Sequence, residues 1–276
     1  MAESILEHPF PGPIYPVSRT HSQIRGLTCY PLVEALPQAV DLAIITIPAP
    51  HVGMALESCA ARSIRAAIII SSGFAEEKSE VGETRQQAIS DIVARHGIAV
   101  LGPNAEGFLN GQMPLAATFS PTVVHFEGEL QPAGSRGAGI AVISQSGGVG
   151  FSFFNRGRPK GLVFSFVVTT GNEAGLDALD VLEHLLEEDN TQVILMFVEG
   201  FNQPQRLRQI ATQAARRRKP LIMAKVGRFE AASAAAASHT ASLTGSYQAY
   251  QGIFQRYGII SGSDSDHMND VAAGFA

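Results

Sequence analysis

His239 stands in the stretch AAAASHTASLTGS, residues 234–246, where alanines and small hydroxyl residues surround a single imidazole. Taken alone, the stretch reads as a surface histidine on an alanine-rich helix, with no metal-ligand spacing around it. Three other polar clusters each follow a short apolar run. SQSGG (Ser144 to Gly148) follows IAVI, TTGNEAG (Thr169 to Gly175) follows VFSFVV, and Glu199 with Gly200 follows VILMFV. A fourth run, PLIMAKV, leads through GRFE toward His239. A small-residue turn between a strand and a helix offers unpaired backbone N–H groups and a positive dipole end, which suits phosphate. Ser144, Gln145, Ser146 and Gly147 are the candidates for that role, although many such turns contain Ser and Gly merely to turn. Glu199 has an alternative reading as a strand-end residue turned to water. Brought to one edge, the amides, the carboxylate and the imidazole suit phosphoryl transfer through histidine. One neutral ring nitrogen attacks phosphorus. The other, bonded to a carboxylate, fixes the tautomer and stabilises the cationic adduct. Metal catalysis fits worse, because the other seven histidines are scattered singly.

Such an edge requires a parallel sheet, and the chain has the pattern for one. Apolar runs alternate with amphipathic stretches. In the first half PIYPV, LAIITIP, RAAIIIS and IAVLG predict strands, with helices over 52–63 and 83–96 between them. Residues 110–137 carry Pro and Gly throughout and no sustained period. They read as a connection with a short strand around Val123, and place the boundary between a first domain, 1–125, and a second, 126–276. The second domain alternates five times: GIAVISQ, LVFSFVVTT, QVILMFVE, PLIMAKV and a final II, with helices between. Leu176, Leu179, Val181, Leu182, Leu185 and Leu186 share one side of the second helix. Pro204 suits a first helical turn, Gly258 a helix stop, and the run Arg216 to Lys219 a helix C-terminus. The pattern is that of a doubly wound fold, whose ligands collect at the C-terminal ends of strands.

Composition bounds the rest. The chain has 276 residues, 45% hydrophobic and 16% charged, with a net charge of −5, which argues weakly against a nucleic-acid partner. Its apolar runs fall far short of the roughly 20 residues of a membrane helix. Residues 1–25 lack a signal-peptide pattern, and Cys29 and Cys59 lack paired or metal-type spacing, so a reduced, cytoplasmic setting is expected.

LGPNAEGFLN, ISQSGGVG, TTGNEAGLDALDVLEHL, ILMFVEG and ASHTASLTGS occur in this order across nearly the whole chain. The ordered set resembles the nucleoside-diphosphate-forming acyl-CoA synthetases, which include the succinyl-CoA synthetase α subunit. The resemblance implies a Rossmann-like domain that binds coenzyme A, followed by a flavodoxin-like ligase domain with a phosphorylated histidine. It also implies an ATP-grasp subunit or domain elsewhere that binds ATP or GTP with Mg. His239 matches the phosphohistidine, Glu199 the carboxylate that orients it, and Ser144, Gln145, Ser146 and Gly147 the helix start that holds phosphate. Pro48, Ser71, Ser72, Pro103 and Asn104 match the region that receives CoA. Ala105 stands where the family often has Cys. Ser18, Arg19 and Thr20 stand where it has Asn and a Pro-Lys pair, so Arg19 takes the place of a lysine contact to CoA. The family's opening strand and Gly-rich turn are not seen ahead of ESILEHPFPGPIYPV, which makes the first domain read as truncated and predicts weak CoA binding by this chain alone. The alternatives are a non-catalytic acyl-CoA-binding or regulatory module of the same family, and an NAD-linked oxidoreductase. The absence of G-x-G-x-x-G after a first strand argues against the latter.

Overall fold

The computed structural model describes residues 1–8, 10–124, 139–226 and 247–276. His239 and its flanking stretch lie outside the described residues, as does the later part of the connection, 125–138.

The chain opens with helix α1 (Ala2–Glu7) and a small antiparallel pair, β1 (Gln23–Ile24) and β2 (Leu27–Thr28). The segment PIYPV forms no strand; Val17 makes only an isolated bridge to Tyr30. Its two prolines remove the amides that a strand would use. A parallel sheet then runs β3 (Leu42–Ile45), β4 (Ala66–Ile69), β5 (Ala99–Leu101), with α2 (Ala49–Ala61) and α3 (Glu80–His96) as the crossovers. Ser79 caps α3 by accepting the Gly82 amide, and Gly97, at φ +66°, ends it. Val52, Leu56, Ile89 and Ile92 of these helices pack against Ile45, Ala67, Ile69 and Val100.

The first part of the presumed connection belongs to a hairpin, β6 (Gly107–Asn110) and β7 (Leu115–Thr118), which is part of the second sheet. The region around Val123 is a single helical turn, α4 (Pro121–Val124), not a strand. The second sheet holds the five expected parallel strands: β8 (Gly139–Ser144), β9 (Phe164–Thr169), β10 (Thr191–Val198), β11 (Leu221–Lys225) and β12 (Ile260–Ser261). Helices α5 (Gly147–Gly157), α6 (Ala178–Glu187), α7 (Arg206–Arg216) and α8 (Tyr247–Tyr257) lie between them, and α9 (Ser265–Ala273) closes the chain. The spatial order is β12-β11-β10-β8-β9-β6-β7, with β6 antiparallel to β9. Numbered by appearance, the five parallel strands lie in the order 2-1-3-4-5 of a flavodoxin-like fold.

Two cores sandwich this sheet. On one face Phe151, Phe153 and Phe154 of α5 and Met268 and Ala272 of α9 meet Val142, Val193 and Ile222. On the other, Leu179, Leu182 and Leu186 of α6, Leu207 and Ile210 of α7 and Phe254 of α8 meet Ile143, Ile194 and Met223. Asp177 and Asp180 form a capping box at the start of α6. Pro204 precedes α7 by two positions, and Gln205 is the N-cap. Lys219 reaches the neighbouring helix rather than its own: Nζ donates to the carbonyls of Leu185 and Glu188 at the end of α6. A further cluster, Ile5, Ile68, Leu101, Leu115, Ala117 and Val168, joins the two sheets.

Candidate active site

In a 2-1-3-4-5 sheet the chain reverses direction between the first and third strands, and the crevice at that point is where ligands bind. Here it lies between the C-terminal ends of β8 and β10, where Gln145 and Glu199 meet. The Gln145 amide donates to the Phe197 carbonyl (3.1 Å), continuing the sheet by one residue. Its side chain then clamps the end of β10. Oε1 accepts the amides of Glu199 (2.6 Å) and Gly200 (3.2 Å), and Nε2 donates to the Gly200 carbonyl (2.7 Å). Glu199 is only 8% exposed, so the reading as a residue turned to water is corrected.

The turn after β8 is built to open α5. Ser144 is fully buried, and its Oγ accepts the Ser146 amide and donates to the Ser146 carbonyl. Ser146 is the N-cap of α5 but makes no side-chain cap. A Cβ on Gly148 would meet nothing within 4 Å, so the first turn is open there. Gly150 lets the helix lie close to the sheet, since a Cβ would stand 2.9 Å from Thr169. Of the four predicted phosphate residues, Ser146 and Gly147 present the helix start. Ser144 and Gln145 spend their side chains on protein contacts. Glu106 packs against Gly147, and burial pushes its carboxyl above the usual range.

Two neighbours complete the edge. Lys225, at the end of β11, is paired in register with Val198 and is 6% exposed. Its Nζ donates to the Val226 carbonyl (2.6 Å) and sits over the Tyr250 ring. Burial lowers its pKa, opposed by the Glu199 carboxylate. Glu173 follows β9. Its Oε1 accepts from Gln145 Nε2 (3.0 Å), Thr170 Oγ1 (2.9 Å) and the Ala178 amide (3.0 Å). Burial pushes this carboxyl up to about 7. The cluster TTGNEAG marks the turn in the sequence, but no local pattern distinguishes Glu173 as half-buried or Lys225 as buried.

The first-domain candidates gather at the ends of β3, β4 and β5. Ser71 Oγ donates to the Ile47 carbonyl (2.5 Å), next to Pro48, the N-cap of α2. The Asn104 amide donates to the Ser71 carbonyl (3.0 Å). Asn104 (φ 58°), Ser72 and Pro48 are exposed, and Pro103 is buried. Arg19 lies on the exposed turn after Val17, and no hydrogen bond among the described residues joins it to this group. The strap from Thr170 to Leu176 links the two edges. Asn172 donates to Gln86 (3.0 Å) and to Glu76, and the amides of Asn172, Ala174 and Leu176 donate to the carbonyls of Pro103, Gly102 and Val100.

Comparison with known proteins agrees with this architecture. Residues 137–275 match the succinyl-CoA ligase like flavodoxin domain, and residues 2–110 match a CoA binding domain. The chain is 37% identical to an ADP-forming acetate–CoA ligase I of Archaeoglobus fulgidus over 95% of its length, which is 36% of that protein. It is 35% identical to the α subunit of an ADP-forming acetate–CoA ligase I of Pyrococcus furiosus, over 94% of this chain and 54% of that one. Among solved structures, the acetyl-coenzyme A synthetase 1 of Ca. Korarchaeum cryptofilum in complex with phosphate and ADP superimposes with a TM-score of 0.85 at 32% identity, covering 97% of this chain and 55% of that one. The chain thus spans from about a third to about half the length of these relatives. With both domain types matched in the order the motifs imply, the chain belongs to the NDP-forming acyl-CoA synthetase family, on the side of the succinyl-CoA synthetase α subunit.

Proposed function

We propose that this chain is the α-type part of an NDP-forming acyl-CoA synthetase, acting with an ATP-grasp partner in the reaction acid + CoA + NTP ⇌ acyl-CoA + NDP + phosphate. Residues 1–125 receive coenzyme A, and residues 126–276 handle the phosphoryl group, with the β6–β7 hairpin as an edge of the second sheet. In the ATP-forming direction phosphate displaces CoA from the acyl group to give an acyl phosphate. His239 takes the phosphoryl group and releases the acid, and NDP removes it as NTP in the partner. ATP or GTP, with Mg, belongs to that partner.

The observation that carries this reading is the Gln145 clamp. It holds Glu199 beside an open helix start at the switch point of the sheet, and the chain continues from the next strand, β11, into the segment that contains His239. A carboxylate there orients the imidazole and offsets the charge of the phosphorylated ring. The helix start holds phosphate through its amides and dipole. Ser71, Ser72, Pro48, Pro103 and Asn104 form the CoA-receiving edge, with Arg19 as a cationic contact. Cys29 and Cys59 are free thiols, which fits a reducing cytoplasmic compartment, and among the described residues no helix is long and apolar enough to cross a membrane.

The test is labelling. With an ATP-grasp chain from the same source and radiolabelled NTP, the wild type takes up acid-labile, base-stable phosphate, and His239→Asn takes up none. Label that persists in the variant removes His239 from the mechanism.

A further inference from the structure

Glu173 combines two costs at one position. Its backbone is left-handed (φ 59°), which a residue with a Cβ adopts reluctantly, and its half-buried carboxyl loses part of its contact with water. A turn alone requires neither, since Gly or Asn would serve. What the residue gains is one oxygen that receives three donors from three places: the turn after β8, the end of β9 and the start of α6. The donor from the β8 turn is the Gln145 carboxamide, whose other contacts are all with Glu199 and Gly200. The carboxyl of Glu173 is therefore one side chain away from the backbone that carries Glu199.

We infer that Glu173 is a positioning residue for Glu199, acting through the Gln145 carboxamide. The inference rests on the functional reading above. Glu173 holds the amide group of Gln145 in the orientation that presents Oε1 to both amides at the end of β10. The groups around it set the response to its charge. Asp177, at the start of α6, opposes ionisation, and Arg206 of α7 is engaged by Asp177, Asp180 and Glu183 rather than by Glu173. Glu76, from the first unit, is held by the adjacent Asn172. Glu199 and Lys225 stand beyond Gln145. No cation among the described residues pairs with Glu173, so its ionisation adds an unbalanced negative charge next to the clamp and shifts the hydrogen bond that Gln145 donates.

The test uses the full chain in two ways. In the wild type, the backbone amide NMR signals of Glu199 and Gly200 are expected to move with pH around a midpoint near 7, matching the Glu173 carboxyl carbon. In Glu173→Gln, which keeps an acceptor oxygen in place but cannot ionise, that movement disappears. Amides that do not follow this midpoint, or that still follow it in the variant, overturn the proposal. The second readout is His239 labelling with the ATP-grasp chain. The wild-type rate changes across the same midpoint. Glu173→Gln is flat across it and within about threefold of the wild type at low pH, whereas Glu173→Ala is slower by roughly tenfold or more at every pH. A Glu173→Gln profile that keeps the wild-type pH dependence also overturns it. A wild type that takes no label at any pH rejects the ligase reading itself, and the amide titration then decides separately whether Glu173 governs the end of β10.

Discussion

Glu199 is where a single atom's replacement carries the most information. Gln is nearly isosteric, and the backbone of Glu199 is held by Gln145 whatever its side chain, so Glu199→Gln keeps the fold. It cannot balance a charged imidazole. Loss of a charged hydrogen bond costs about 1.5–3 kcal/mol, so the labelling rate falls roughly tenfold to hundredfold. A rate equal to the wild type's would leave Glu199 a structural strand-end residue. Glu173 has a signature in stability. Its carboxyl is raised by burial to about 7, so the folded chain keeps a proton that the unfolded chain loses from about pH 4.5 upward. The contribution to stability therefore falls as pH rises from there to about 7 and is level beyond, by about 3 kcal/mol at most. Urea midpoints at pH 5 and pH 8 should differ less in Glu173→Gln than in the wild type, and equal differences would remove the burial argument. Sequence singled out Glu199 but passed over Glu173. A carboxylate at the end of an apolar run is visible locally, while the burial of one inside a glycine-rich turn is created by what folds over it.

The strap between β9 and α6 is the element that ties the two edges together. Gly171 has φ +60°, and a Cβ there would lie 2.3 Å from the Pro103 carbonyl oxygen. Gly161 has φ +81° and nothing within 4 Å. The two glycines share the left-handed backbone and differ in space. Gly161→Ala is expected to cost about 1 kcal/mol, the price of the backbone alone, whereas Gly171→Ala adds a collision with backbone and costs more, about 2–4 kcal/mol. Urea unfolding of the two variants measures the difference, and equal midpoints would show that the strap yields. Among the helices, α6 was the most legible from its leucine spacing, and the structure buries Leu179, Leu182, Leu185 and Leu186. Leu176, just ahead of the helix, instead donates its amide to Val100 in the first unit. Leu182→Ala empties a fully buried site and is expected to cost about 2–5 kcal/mol by thermal or urea unfolding.

For the molecule as a whole, the two sheets meet through the hairpin β6–β7, the strap and the cluster of Ile5, Ile68, Leu101, Ala117 and Val168. Under the proposed function, the phosphoryl and CoA edges are thereby held on one body, and nucleotide chemistry is assigned to the partner. Purified chain with labelled NTP alone is expected to gain no label, and addition of an ATP-grasp chain restores it. Label gained without the partner would show that this chain binds nucleotide itself.

The alternation of apolar and amphipathic stretches was sufficient for the five parallel strands of the second domain and the polar turns at their C-terminal ends, because burial on both faces of a parallel sheet leaves a continuous apolar run in each strand. The ordered motifs then identified the family. The spatial order of the strands was not written in that pattern, since any permutation gives the same alternation. Only the tertiary structure placed β8 beside β10 and so brought Gln145 to Glu199. It also moved residues 110–118 from a connection to a hairpin at the edge of the second sheet, where short strands with glycine and mixed polarity gain their pairing from β9. PIYPV shows the reverse: its apolar residues suggest a strand, but ladder hydrogen bonds need amides that proline lacks, and only the bridge at Val17 forms. The local pattern reports which side chains seek burial. Which partners bury them, and which carboxyl is buried with them, depends on contacts between residues far apart in the chain.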